Sequence, residues 1–163
     1  MIAVLAAVAL GGDPAVVPTR IGSGARFRPA AQTTATPSYL CVSSRSHFRV
    51  HLELFAEGRA LVVPSDIGRR SATCVAEVRT VAPGGIVQVG RAGLTVGDLF
   101  RVWGQRLAPN RLLAFVGAVR VYVAGHRVPG DVRTVELTPN AQIVLEVGPL
   151  IPPHSFFLFP KGS

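Results

Sequence analysis

The sequence predicts an α+β fold: a mixed β-sheet made of hairpins, with one main helix packed on one face. Three observations lead there. Several segments between residues 47 and 147 alternate apolar and polar residues with period two. One stretch, 94–107, repeats its apolar residues at helical spacing. The order is hairpin, hairpin, helix, then further strands, which suits helix on sheet rather than alternating crossovers. From residue 75 to 147 the order strand, strand, helix, strand, strand suits a β-grasp sheet. At 48% apolar and 16% charged, 163 residues can bury one core.

The first strand is "HFRVHLELF". Phe48, Val50, Leu52 and Leu54 share one side, and His47, Arg49, His51 and Glu53 share the other. Glu57-Gly58 turns the chain and "RALVVP" returns beside it. After a polar loop at 65–73, "CVAEVRTV" and "GIVQVG" form a second hairpin around Pro83-Gly84-Gly85. The helix follows in "LTVGDLFRVWGQRL". Thr95 is its N-cap, Asp98 closes a capping box, and Val96, Leu99, Phe100, Trp103 and Leu107 make its apolar face. Gly104 marks close packing or an early stop. "VRVYVAG", "RTVELT" and "QIVLEV" then read as three strands, the last two joined by "PNA". The tail "PPHSFFLFPKGS" reads as an extended apolar segment laid on the domain, its prolines barring it from a central strand.

Upstream, residues 1–12 read as the remnant of an export signal. An apolar run, Ile2 to Leu10, precedes small residues, although no Lys or Arg stands before it. The run falls short of the ~20 residues that span a bilayer. Residues 13–38 are a Pro/Gly/Ser/Thr-rich linker, and a single domain occupies 39–160. Cys41 and Cys74 flank the first hairpin. In an exported chain such a pair suggests a disulfide; two buried free thiols are the alternative.

The net charge is +8, and all but one of the 17 basic residues are arginines, the exception being Lys161. These arginines are scattered singly rather than gathered in a patch, so no specific nucleic-acid binding is expected. A diffuse basic surface reads first as a solvated one, with weak attraction to an envelope surface or an anionic polymer as the alternative.

Catalytic patterns are thin. Ser43, Ser44 and Ser46 lie near His47 and His51, but no Gly-x-Ser-x-Gly elbow is present. Glu53 and Glu77 sit on separate strands and make no convincing acid–base pair. The glycine-containing stretches "GSGARF" and "APGG" lack a phosphate-binding lysine. His126 falls in a turn and His154 in the tail. His47 and His51 could hold a divalent metal only with further ligands from a neighbouring strand, with Glu53 or Glu77 as the candidate carboxylates, and Arg49 between them repels a cation.

In its strand, helix and turn motifs, residues 41–162 resemble an uncharacterised family of bacterial, largely actinobacterial, extracytoplasmic proteins. The stretches that carry the likeness are "HFRVHLELFAEGRALVVPSDIG", "GIVQVG", "LTVGDLFRVWGQRL", "VYVAGHRVPGDVRTVEL", "NAQIVLEVG" and "FPKGS". The family's motifs are His-x-His-x-His-Leu, Leu-His-Thr-His-Asp and Leu-Gly-x-Phe-Phe-x-x-Trp-Gly. The resemblance implies an export signal and a Cys41–Cys74 pair. It also marks departures. Arg49 replaces the central histidine of the first motif. Val78, Arg79, Thr80, Val81 and Ala82 stand where the family has Leu-His-Thr-His-Asp. Gln88 stands for a histidine and Gly90 for a glutamate. A scaffold kept while its polar cluster is released is the pattern this implies.

The sequence therefore points to a non-enzymatic extracytoplasmic module with a binding or structural role and no cofactor. One alternative is a residual metal-binding protein using His47 and His51. Another is an arginine-mediated binder of an anionic polymer or lipid surface, with Arg49 and Arg79 facing the same way on adjacent strands.

Overall fold

The computed structural model describes residues 38–42 and 46–161. The export-signal reading, the linker up to residue 37, and Ser43 and Ser44 lie outside the described residues. The main sheet contains β1 (Phe48–Ala56), β2 (Arg59–Leu61), β3 (Val78–Thr80), β4 (Ile86–Val89), β8 (Val119–Val123), β9 (His126–Val128) and β10 (Gln142–Val147). Its order is β3-β4-β1-β10-β8-β9, with β2 pairing the far end of β1. β1 and β10 run parallel at the centre, and every other pairing is antiparallel. One helix, α1 (Val96–Trp103), packs against β3 and the following loops. The class is α+β with a mixed sheet, as the alternation and the single helical period predict. A small second sheet joins β5 (Leu107–Ala108), β6 (Arg111–Leu112) and β7 (Phe115–Val116); Leu107, expected on the helix's apolar face, falls in β5 because the helix ends at Gly104, and the rest of this stretch was expected to be loop.

A parallel pair of first and last strands, antiparallel neighbours on either side and a helix between the two halves give a strand order like that of a β-grasp sheet. The expected span of 75–147 is too short, because the central place belongs to β1 at 48–56. The predicted strand "RTVELT" is also corrected. It forms a 3₁₀ turn at Val132–Thr134 and then crosses the start of the helix, where Val135 accepts from the Val96 amide and Leu137 donates to Leu94. Its alternation is real, since Val135 and Leu137 are buried, but they cover the helix instead of joining a ladder. β8 takes His126–Val128 as its hairpin partner instead, around Ala124-Gly125.

Alternation sorts the two faces of the sheet. Val50, Leu52, Leu54, Val87, Val89, Ile143 and Leu145 lie against Leu99 and Phe100 in the core. The helix begins at Thr95 with the expected capping box to Asp98 and stops at Gly104, whose φ of 72° suits glycine. Trp103 packs on the rim of the core. Cys41 and Cys74 form a disulfide that ties the segment before β1 to the segment that leads into β3. Such a bond points to an oxidising, extracytoplasmic setting. Among the described residues no helix is long and apolar enough to cross a membrane.

Candidate functional site

The outer face of the sheet, opposite the helix, carries every residue singled out on the first strand. Arg49 and His51 alternate out from the core on β1, and Gln88 and Ile86 stand opposite them on β4. Arg79 on β3 stands opposite Gln88 in turn. Arg49, Gln88 and Arg79 thus form one cross-strand row. The expectation that the two arginines sit on adjacent strands is corrected, since β4 runs between them and spaces them by about 10 Å. The Arg79 guanidinium reaches the Ala76 carbonyl at 3.2 Å, and burial lowers its pKa from the ordinary arginine value. His47, Arg49, Ile86, Gln88, Asn140 and Pro160 line a groove of about 850 Å³ at this end of the face.

His47 and His51 do not converge. Four residues of extended chain separate their backbones by about 13 Å. His47 is exposed at the strand's start, whereas His51 is only 2% exposed. Both nitrogens of His51 are engaged: Nε2 lies 2.9 Å from the Gly84 carbonyl oxygen and Nδ1 lies 2.7 Å from the Gln142 side-chain amide. Its ring stacks on Phe157, with centroids 3.6 Å apart and planes 8° from parallel. Burial pushes the His51 pKa below the ordinary histidine value, against the pull of Gln142 and of the nearby Glu53 carboxylate. In its neutral form the ring carries its proton on Nε2, toward the Gly84 carbonyl. Nδ1 must then accept, which requires the amide nitrogen of Gln142 to face it. With its oxygen toward Nδ1, the amide leaves its buried nitrogen without a partner.

The tail decides how much of this face is covered. From Ile151 to Pro160 it runs back across β1 and β10. The His154 ring meets Glu53 at 2.8 Å, Phe157 covers His51, and Phe159 lies beneath the Arg49 guanidinium at 4.8 Å. Arg49 also donates to the Pro160 carbonyl at 3.2 Å. Near the tail's start, Glu146 is fully buried and accepts from Arg120 at 2.7 Å, Tyr122 at 3.0 Å and the Ile151 amide at 3.1 Å. The bond to Glu146 holds the Arg120 pKa above the usual arginine range, and burial followed by Glu146 raises that of Tyr122.

The polar row of β1 is thus largely used within the protein. Glu77 bonds Arg91 and does not join Glu53 or the histidines. Among the described residues no group of three or more His, Cys, Asp or Glu side chains gathers at metal-ligating range. Gln142 and Phe157, which engage His51, were not singled out in the sequence, and Gly84 was read there only as part of a turn. The one available signal was the apolar run "FFLF" between prolines. No protein-family model, curated protein or solved structure matches this chain.

Proposed function

We propose that this chain is a non-enzymatic extracytoplasmic module with a binding or structural role at the cell envelope. One observation carries the reading: the cross-strand row Arg49–Gln88–Arg79. The family resembled in the sequence has histidines at all three positions, which the register makes neighbours on one face. Here two permanent cations flank an amide. Neither guanidinium ligates a divalent metal at neutral pH, and together they repel one. Nearby His51 serves as a packing and hydrogen-bonding residue under Phe157. Elemental analysis of the purified protein tests the proposal. Zinc and copper should be far below one per chain, and one tightly held ion per chain would overturn it.

A second reading, contact with an anionic surface, is favoured by the groove beside Arg49. Binding of this kind weakens as salt rises, because charge attraction is screened. A salt-independent affinity for anionic partners counts against it.

A further inference from the structure

The tail alternates across the sheet. Phe157 and Phe159 turn inward onto His51 and Arg49, while Phe156 and Leu158 turn outward and are 51% and 74% exposed. Leu150, where the tail begins, and Val81, beside Pro160 in the groove, are also exposed. These are four of the six large apolar side chains exposed among the described residues, and all four belong to the tail or the groove at its end. Scattered exposed residues need no explanation, but a concentration on one face does.

The same face gathers cations. Arg49 and Arg79 lie in the row described above, and Arg127 stands opposite Tyr122 on the edge strand β9. Lys161 ends the described tail. The two carboxylates beneath the tail are both paired, Glu53 with His154 and Glu146 with Arg120. The Arg120 guanidinium thus offsets the Glu146 charge.

We propose that this tail-covered face docks on an anionic lipid surface. Phe156 and Leu158 enter the interfacial region, and Arg127, Lys161 and the Arg49–Arg79 row meet the headgroups. The inference rests on the envelope reading above and names its surface. Interfacial binding adds buried apolar area to attraction for anionic lipid, and this face supplies both. A second copy of the chain fits less well. A net charge of +8 opposes self-association. A few protruding side chains also fall well short of the ~800 Å² per partner in a stable protein interface. Pro152, Pro153 and Pro160 lack amide donors, which shortens any ladder a partner strand could add to the tail.

The test is co-sedimentation of the full chain with phosphatidylglycerol vesicles and with phosphatidylcholine vesicles, at low and high salt. Binding is expected to phosphatidylglycerol only, and to weaken with salt. The double variant F156S/L158S should lose affinity by about tenfold, because two apolar side chains no longer leave water. Its thermal melting should be unchanged, since both side chains already project outward. R127Q should bind more weakly and with a shallower salt dependence. The proposal is overturned if phosphatidylglycerol is not bound, if phosphatidylcholine binds equally, or if the double variant binds like the parent. It is also overturned if ultracentrifugation shows a dimer that the double variant abolishes, or if the chain binds a soluble polyanion but not vesicles. A metal-loaded chain that still binds vesicles would remove the non-enzymatic reading and leave this one standing.

Discussion

The His51 ring is held between a carbonyl, an amide and a phenyl ring, and this enclosure sets its pH response. Its folded-state pKa lies below the ordinary value of 6.5, so the unfolded chain takes up the proton more readily. Stability is therefore full above about pH 6.5 and falls as pH drops through the window beneath it. Glu53 and His154 face the same ring, one favouring its charge and the other opposing it. Chemical denaturation of His51→Gln between pH 4 and 7 should show a shallower loss of stability toward acid than the parent. An identical slope would mean that His51 is not the group responsible. Glu146 makes a second test at this scale. It is fully buried with three donors around it, and Glu146→Ala should cost about 3 kcal/mol in urea denaturation. A loss under about 1 kcal/mol would mean that water replaces the carboxylate at little cost.

At the scale of elements, the β3–β4 hairpin shows how backbone geometry sets a register. Gly85 has φ +83°, and a Cβ there would come within 2.1 Å of the Leu52 carbonyl oxygen. The glycine lets β4 close onto β1, with the Leu52 amide donating to the Gly85 carbonyl at 2.9 Å. That closure also brings the Gly84 carbonyl to His51. Gly85→Ala should destabilise by more than about 2 kcal/mol and loosen His51, visible as a shift of its imidazole NMR signals. A variant that melts with the parent would show that the hairpin accommodates the methyl group. Among the elements, the helix was the most legible in sequence. Thr95, Asp98 and Gly104 carry local capping chemistry that needs no distant partner. "RTVELT" was less legible, because period two states only that alternate residues are buried, and Val135 and Leu137 are buried against the helix.

For the whole molecule, the tail links the sheet's outer face to its stability. Between Pro152 and Phe159 its hold on β1 is made by side chains: the His154–Glu53 pair, the Phe157–His51 stack and the Phe159–Arg49 contact. Replacing Phe157 and Phe159 together by alanine should release the tail. Limited proteolysis should then cut near residues 150–160 much faster than in the parent, while the core melts within a few degrees of it. Unchanged cleavage would mean that the remaining contacts hold the tail without them. The prolines and the four-residue apolar run made the tail recognisable as a cover. Which residue it covers was not readable, because His51 and Phe157 are 106 positions apart and meet only when β1 takes the sheet's centre.

Local chemistry in the sequence determined the α+β class, the two faces of β1, the capped helix and an outer row of His47, Arg49 and His51. Each follows from residues within a turn or a strand's length of one another, where sterics and burial act without a partner. Tertiary structure decided that β10 lies parallel beside β1, that Gln88 separates Arg49 from Arg79, and that His51 is enclosed while His47 is exposed. Those outcomes depend on which strand pairs with which. Pairing is chosen by the free energy of burying the whole core, a quantity no short stretch of sequence contains.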